Sequence, residues 1–494
     1  MTVDQVALLP VYAAALTVVA ALVTDLVVPG RRAPVLAVTA VGAGLTALTA
    51  WLRGTGPTRQ TFCSQAGCSY VSDHTAAVVA VLFGLLTLGV LAFSVPALRG
   101  GAPPGEFCFL LACSMTGGVV LGASRDLITL VVAVETVTLP LYALVGLRRR
   151  STASAEAAVT FFVVSVVSTA VTLLGAALLY ASTGAIHFGP LAAALADRGH
   201  LVSLPLTTVG VVLVLVGFGF KVAAVPLHAW APSTYDGAPL PVAAYLSTAS
   251  KLSGVVAILL VSTQALRPWL DVAGPVLAVL AAVTMTVGNL VALRQRRMVR
   301  LLAWSSIAQA GYILAPLGAF AVSTGRTDRV LAVVVTATVG YAIFFVVLEL
   351  AAFGAVIALR GDTDGGEISD YRGSRRRSPW VTGAFAVALA GLAGLPPGLA
   401  GLFAKVTIVR ALLTGGAGWL AVVVAINAVV GLAYYIRVVA TLFAFAPADV
   451  RRARHLERPH LPWAVAVGLA VVTLAGLVVG LAPQLVLDAA NLTR

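Results

Sequence analysis

Long apolar runs, separated by short polar connections, extend along almost the whole chain and constrain its fold more than any other feature. An α-helix needs about 20 apolar residues to cross the hydrocarbon core of a bilayer. Fourteen runs in the 494-residue sequence have about this length. They cover residues 6–28, 33–52, 75–97, 106–123, 126–147, 156–182, 205–230, 239–263, 269–293, 299–321, 329–359, 379–412, 418–446 and 462–487. With 60% hydrophobic and 10% charged residues, the chain has too little polar surface for a soluble protein of this size. The sequence therefore predicts an all-α polytopic membrane protein that forms a single membrane domain, residues 1–494.

The arginines are unevenly divided between the two sets of connections. Twenty of the 29 arginines follow odd-numbered runs, and nine follow even-numbered runs or lie at the C-terminus. Because basic residues are enriched in cytoplasmic loops, the odd-numbered connections are predicted to be cytoplasmic and both termini to lie outside. The net charge of +13 does not indicate a nucleic-acid partner, since the arginines punctuate apolar runs and form no basic domain.

The four cysteines fall into two pairs. Cys63 and Cys68 lie in a polar connection that is predicted to face the oxidising side, where a disulfide is expected. Cys108 and Cys113 lie within an apolar run and are interpreted as small packing residues. No cysteine and histidine cluster has the spacing of a metal site, so neither a metal nor a cofactor is predicted on this chain. The N-terminus lacks the basic segment of a cleavable signal peptide.

Only three lysines are present, and all of them lie inside apolar runs: Lys221, Lys251 and Lys405. Glu135 also lies inside such a run. A charged side chain near the centre of a bilayer costs about 2.5–3.5 kcal/mol on insertion scales. Four such groups indicate a function, and we interpret them as a proton relay held in a row by the helices around them.

Glu135 and Lys221 admit two interpretations. Glu135 could be a structural hydrogen-bonding group between helices, with Lys221 as its static ion-pair partner. Alternatively the pair is switchable. Burial favours the neutral form of each group and a nearby opposite charge favours the charged form, so a small movement of one partner binds or releases a proton. A buried ion pair is a poor source of stability, which favours the switchable interpretation.

Two of the apolar runs are interrupted next to a lysine. GFGFKVAAVPLHAWAP places Pro226 shortly after Lys221, and LAGLAGLPPGLAGLFAK places Pro396 and Pro397 shortly before Lys405. Proline removes a helical hydrogen bond, so both runs are predicted to be discontinuous helices. A simple kink would explain either interruption alone. Two interruptions, each beside a buried lysine, are typical of transport sites.

Further polar residues lie near these groups and extend the predicted relay. They are His228, Ser305, Ser306, Gln309, Tyr312 and Glu349. The alternative interpretation of His228 is that it lies at a helix end on the cytoplasmic face and has no part in the relay. For Glu349 we hypothesise an ion pair with Lys405, and the alternative is a contact with a neighbouring subunit or a backbone group.

Five motifs from the central and C-terminal parts of the chain resemble a known family. GFGFKVAAVPLHAWAPSTYDGAPLPVAAYLSTASK, NLVALRQRRMVRLLAWSSIAQAGYIL, EISDYRGSRRRSPW, AGLPPGLAGLFAK and INAVVGLAYYIRVV are similar to the antiporter-like subunits of respiratory complex I, and most closely to its N subunits. The resemblance covers roughly residues 100–445. It implies 14 transmembrane helices with two inverted five-helix repeats, at 106–263 and 269–446, and discontinuous helices 7 and 12. Residues 1–105 would hold helices 1–3, and residues 462–487 would form helix 14.

The resemblance also implies a function and partners. It implies that Glu135, Lys221, Lys251 and Lys405 form the polar axis of two proton half-channels. The other membrane subunits of complex I would be the partners, in a bacterial plasma membrane, and NADH, FMN, the iron–sulfur clusters and quinone would bind to other chains. This division agrees with the absence of a phosphate loop or cysteine cluster in the sequence.

Particular residues both support and limit the resemblance. Lys405 is typical of the N and L subunits, whereas M subunits usually have glutamate at this position. The L subunits differ from the N subunits in that they continue into a long C-terminal helix. The N subunits commonly have lysine at Thr160, histidine at Gln309 and asparagine near Glu349. Thr160 and Gln309 cannot take up a proton near neutral pH, which argues against a relay through those two positions.

Three functions remain open at this point. The first is a proton-pumping subunit of complex I, favoured by the DYRG string and the SKLSG context of Lys251. The second is a subunit of a multisubunit cation/proton antiporter or of a membrane-bound hydrogenase complex, which share the fold. The third is a membrane spacer that no longer pumps, because of Thr160 and Gln309.

Overall fold

The computed structural model describes residues 3–148, 151–199, 201–445 and 461–492. The first part of the chain contains these elements: α1 (Leu9–Val27), α2 (Arg32–Gly54), β1 (Arg59–Ser64), β2 (Gly67–Ser72), α3 (His74–Arg99), α4 (Pro104–Ala123), α5 (Leu127–Val145), α6 (Thr152–Thr183) and α7 (Phe188–Ala196). The central part contains α8 (Leu204–Lys221), α9 (Trp230–Gly237), α10 (Leu240–Tyr245), α11 (Lys251–Leu260), α12 (Leu270–Ala292), α13 (Met298–Leu314) and α14 (Asp328–Arg360). The last part contains α15 (Ser374–Arg377), α16 (Pro379–Ala393), α17 (Leu399–Thr414), α18 (Gly418–Phe443), α19 (Trp463–Leu481) and α20 (Pro483–Ala490).

Thirteen helices in the described residues are long and apolar enough to cross a membrane. One of them, Leu240–Ala265, joins α10 and α11 through a π-helical turn at Leu246–Ser250. The remaining predicted run, 379–412, is built from two shorter helices, α16 and α17. The helical, membrane-spanning fold class is thus confirmed, and the structure is compatible with 14 crossings.

Three helices form the centre of the bundle. The apolar windows of Leu240–Ala265, Met298–Ala321 and Asp328–Arg360 are 100%, 94% and 83% buried, whereas those of α1 and α19 are 22% buried. The central helices are the ones that carry Lys251, Gln309 and Glu349. Their polar side chains therefore lie inside protein and away from the lipid-facing surface.

A β-hairpin that the apolar pattern did not predict lies between α2 and α3. Strands β1 and β2 pair antiparallel, with Cys63 opposite Cys68, and the two cysteines form a disulfide. The apolar periodicity contains no signal for this hairpin, because its strands are short and polar. Cys108 is buried in α4, and Cys113 of the same helix is partly buried.

Small residues allow close approach between neighbouring helices. A Cβ atom added at Gly175 of α6 would lie 2.7 Å from the backbone nitrogen of Val214 in α8. Membrane helices associate through such close packing, because lipid tails offer no hydrophobic driving force between helices. The contact fixes α8, which carries Lys221, against α6.

We expect Gly175→Ala to weaken this contact. The added Cβ would also lie 2.9 Å from the carbonyl oxygen of Gly210. Overpacking of this kind typically costs about 1–3 kcal/mol. The matched control is Gly44→Ala in α2, where nothing lies within 4 Å of the added Cβ. Thermal stability of the assembled complex checks the prediction, and equal stability of the two variants would refute it.

Candidate functional site

The first cluster of buried charge joins α5 and α8. The Nζ atom of Lys221 lies 2.9 Å from Oε1 of Glu135, and the two side chains are 4% and 20% exposed. Lys221 also donates hydrogen bonds to Oγ1 of Thr138 at 3.0 Å and to Oγ of Ser165 at 2.9 Å. These three acceptors match the three protons of an ammonium group. Thr169 in turn donates a hydrogen bond to Oε1 of Glu135 at 2.6 Å, which holds the carboxylate in place.

The backbone explains why Lys221 is available at this position. It is the last residue of α8, and the chain does not become helical again until Trp230. Ala223 has a φ of 59°, and Pro226 lies in the same non-helical segment. The C-terminus of a helix carries partial negative charge, which favours a cation there. The predicted interruption near Pro226 is therefore present, and Lys221 is the residue at which α8 ends.

A close backbone contact brings the second lysine near the first. A Cβ atom at Gly254 of α11 would lie 2.8 Å from Cβ of Lys221 and 2.9 Å from the backbone nitrogen of Val222. Lys251 lies one turn before Gly254, directly after the π-helical turn Leu246–Ser250. Such turns widen a helix and are frequent at functional sites.

Lys251 and Glu349 form a second cluster. Lys251 is 1% exposed and Glu349 is fully buried. The two groups interact electrostatically, whereas neither Nζ of Lys251 nor the two carboxylate oxygens of Glu349 have a hydrogen-bond partner among the described residues. The sequence hypothesis paired Glu349 with Lys405. Among the described residues no ion pair joins Glu349 to Lys405, whose ammonium donates to two backbone carbonyls, and Lys251 is the lysine whose charge acts on Glu349.

Lys405 caps the end of the second broken helix. Its Nζ donates hydrogen bonds to the carbonyl oxygens of Leu392 at 3.1 Å and Ala393 at 2.5 Å. These are the last residues of α16, and helical structure resumes only at Leu399 of α17. Pro396 and Pro397 therefore lie in a non-helical segment, as the sequence predicted.

Gln309 connects Lys405 to the centre of the bundle. Its Nε2 donates hydrogen bonds to the same Leu392 carbonyl at 3.2 Å and to the hydroxyl of Tyr435 at 3.0 Å. Tyr341 donates a hydrogen bond to Oε1 of Gln309 at 2.6 Å. The amide is therefore held at both ends, and it fixes the position of a carbonyl that also accepts from Lys405.

Tyr312 lies beside this cluster. Its ring centroid is 5.7 Å from Nζ of Lys405, and its hydroxyl accepts a hydrogen bond from Nδ2 of Asn289 at 3.1 Å. Tyr434 donates a hydrogen bond to Oδ1 of Asn289 at 3.0 Å. A cation over an aromatic ring is favourable when both are desolvated, so Tyr312 contributes to the surroundings of the lysine.

One predicted relay residue, His228, and one position that departs from the family pattern, Thr160, lie outside these clusters. His228 is in the non-helical segment between α8 and α9, where Nδ1 lies 3.2 Å from the carbonyl oxygen of Pro226 and the ring packs edge-on against Trp304. Thr160 lies on α6 and is partly exposed. Within the described ranges, no group of three or more His, Cys, Asp or Glu residues could hold a metal ion.

Comparison with known proteins identifies the family. A family model described as NADH:quinone oxidoreductase/Mrp antiporter, TM, matches residues 124–431. The NADH-quinone oxidoreductase subunit N of Salinispora tropica is 61% identical, over 99% of this chain and 99% of its own length. The chain belongs to the NADH-quinone oxidoreductase subunit N family. It is thus an antiporter-like, proton-translocating membrane subunit of that oxidoreductase, as the motifs in its sequence predicted.

Solved structures of membrane complexes contain chains with the same fold. A chain of respiratory complex I from Thermus thermophilus matches with a TM-score of 0.77 and 29% identity, over 97% of this chain and 98% of that chain. A chain of the Mrp complex from Dietzia sp. matches with a TM-score of 0.83 and 22% identity, over 99% of this chain and 97% of that chain. At the second identity the likeness shows the shared fold alone.

Several polar residues of the subunit N clusters were not singled out from the sequence. They are Thr138, Ser165, Thr169, Asn289, Asn427, Tyr434 and Tyr435. The two asparagines carried a usable signal, because an amide inside an apolar run needs a partner. The hydroxyl residues carried none, since Ser and Thr occur widely in membrane helices, where they bond to their own backbone.

Proposed function

We propose that this chain conducts protons along a buried path through Glu135, Lys221, Lys251, Glu349 and Lys405. Electron transfer from NADH to quinone on other subunits drives this movement. NADH, FMN, the iron–sulfur clusters and quinone bind to those other chains. The neighbouring membrane subunits of the complex are the partners of this one, in a bacterial plasma membrane.

The main support is the shared construction of the two lysine sites. In each, a membrane helix stops within the bundle next to a buried lysine: α8 ends at Lys221 itself, and the ammonium of Lys405 donates to the carbonyl of Ala393, the last residue of α16. A helix that ends within protein leaves carbonyl groups without intrahelical partners, and a cation compensates them. Paired broken helices with charged residues at the break are typical of membrane transport sites.

The Glu135 and Lys221 pair serves as the switch of the first half. With the carboxylate 2.9 Å away, the charged form of Lys221 is favoured by a full opposite charge in a medium of low polarity. Separation of the pair removes this stabilisation and favours release of the proton. The hydroxyls of Thr138 and Ser165 accept from the same ammonium, which gives the proton neighbouring acceptors.

Lys251 and Glu349 link the two halves. Both are buried at the centre of the bundle, where either charge alone would be costly. The pair is stable when both groups are charged or both are neutral. Transfer of one proton between them therefore changes no net charge inside the protein.

Gln309 has a positioning role in this proposal. An amide does not take up a proton near neutral pH, whereas its hydrogen bonds to Leu392 and Tyr435 hold one of the carbonyls that accepts from Lys405. The presence of Gln309 and Thr160 therefore leaves the proposed path intact, because the path passes through neither residue.

The first test separates a relay from a static ion pair at Lys221. Lys221→Arg keeps the positive charge, but arginine cannot be deprotonated in a protein. We expect this variant and Lys221→Met to lower the number of protons translocated per NADH oxidised. The measurement uses the assembled complex in proteoliposomes, normalised to its content.

Glu135→Gln should lower the same ratio, and the control is Glu106→Gln, which changes an exposed glutamate in the first turn of α4. A static ion pair predicts that Lys221→Arg pumps normally. Normal pumping by both Lys221 variants would remove this lysine from the path.

The second test asks which lysine works with Glu349. Side chains in one interacting network show coupling of about 0.5–3 kcal/mol in double-mutant cycles. Glu349→Gln combined with Lys251→Met should therefore deviate from the sum of the single effects on the stability of the assembled complex. Glu349→Gln combined with Lys405→Met should be additive. Coupling to Lys405 and not to Lys251 would overturn the proposed link.

The third test concerns orientation, for which 20 of 29 arginines support both termini outside. Alkaline phosphatase fused after the C-terminal residue should be active, because it folds only outside the cytoplasm. The control is a fusion in the connection 361–373, which is predicted to be cytoplasmic and should be inactive. The reverse pattern would refute the orientation without affecting the buried path.

A further inference from the structure

A deep apolar groove lies on the side of the bundle among α2, α3, α14 and α19. Its volume is about 730 Å³. Its lining includes Leu85, Val467 and Val471, whose side chains are 52%, 52% and 59% exposed. The groove is therefore open on the surface of the described structure, and four helices line it.

One end of the groove is positively charged. Arg32 is the first residue of α2, Arg99 is the last residue of α3, and Trp463 is the first residue of α19. All three line the groove, and all three lie at helix ends next to connections that the arginine distribution assigns to the cytoplasm. Tryptophan is enriched at membrane interfaces, so the charged end lies at the level of lipid headgroups.

Both arginines are free to bind a ligand. Each is exposed, and neither makes an ion pair or hydrogen bond through its side chain in the part of the chain that the structure describes. An acid beside this end, Asp362, packs against Gly100 and interacts electrostatically with Arg148. The two guanidinium groups thus form a cationic end on an apolar groove.

We propose that this groove binds an anionic phospholipid of the cytoplasmic leaflet. Its acyl chains lie among α2, α3, α14 and α19, and its phosphate lies at Arg32 and Arg99. Charge complementarity selects the occupant, because basic pockets between membrane helices on the cytoplasmic side bind anionic headgroups and guanidinium matches phosphate geometry. A transmembrane helix of another subunit would fill the apolar part but would not require two arginines at one end.

The lipid would contact the helix that carries the central acid. Leu350 lines the groove, whereas the preceding residue, Glu349, is buried within the bundle. The acyl chains would therefore contact α14 next to the residue whose charge interacts with that of Lys251. The proposal stands without the proton path, since it rests on the groove and on Arg32 and Arg99.

Photo-crosslinking of the intact complex tests the assignment. The complex is reconstituted in mixed vesicles of phosphatidylcholine and phosphatidylglycerol. In one preparation the phosphatidylcholine carries a diazirine in its acyl chain, and in the other the phosphatidylglycerol does. Peptide mass spectrometry then locates the label. We expect phosphatidylglycerol to label α3 and α19 at the groove. The Arg32→Gln/Arg99→Gln variant should reduce this labelling by about 30-fold, which is the factor expected when two basic residues are removed from a membrane surface.

Two further variants make the result decisive. Arg32→Lys/Arg99→Lys keeps the charge and should retain the label. Arg294→Gln/Arg300→Gln removes two exposed arginines from the same side of the chain outside the groove and should label as the unmodified complex does. Equal labelling by phosphatidylcholine and phosphatidylglycerol would overturn the proposal in favour of an unselective lipid contact. Absence of label from the groove with both lipids would overturn it in favour of a protein segment.

Discussion

Buried lysines in a membrane protein must find their electrostatic partners within the protein, because lipid tails offer none. A broken helix has the complementary need, since its last carbonyl groups lack intrahelical hydrogen-bond donors. At the second break this chain satisfies both needs together, because Lys405 donates to the carbonyls of Leu392 and Ala393 at the end of α16. At the first break the two needs are met separately: Lys221 is the last residue of α8, but its ammonium bonds to side chains of α5 and α6.

The two halves of the protein solve this problem differently. Lys221 has a carboxylate partner in Glu135 and two hydroxyl acceptors, whereas Lys405 has two backbone carbonyls and the face of Tyr312. The first arrangement changes when a single side chain moves. The second depends on the backbone of the break between α16 and α17, which Gln309 holds through its hydrogen bond to Leu392. Movement of the α16 end, and not of a partner side chain, is what would change the surroundings of Lys405.

The sequence predicted the parts of the structure that contain residues with a high free-energy cost inside a membrane helix. Lysine, glutamate and proline within apolar runs are costly in this sense, and the broken helices and the Glu135 and Lys221 contact follow from their positions. The partner of Glu349 could not be predicted in this way. Both Lys251 and Lys405 are buried cations without another acid, so composition alone does not choose between them. The choice depends on the direction in which α14 presents Glu349, and that direction is set by the packing of three central helices. The β-hairpin at 59–72 was missed for a related reason, because short polar strands carry no apolar period.

The residues that depart from the family pattern fit this arrangement. A histidine in place of Gln309 would add a titratable group between Lys405 and Tyr435, whereas the amide only connects them. The structure contains a titratable group elsewhere, since Glu349 of α14 is fully buried and interacts electrostatically with both Lys251 and Tyr435. The chain thus has an amide, Gln309, on α13 and a carboxylic acid, Glu349, on α14. Helices α13 and α14 pack against each other in the centre of the bundle. An acid on α14 can therefore lie in the same region as a histidine on α13. On the proposed path, the step between the two lysine sites therefore uses Glu349 and Lys251 and needs no titratable group at Gln309.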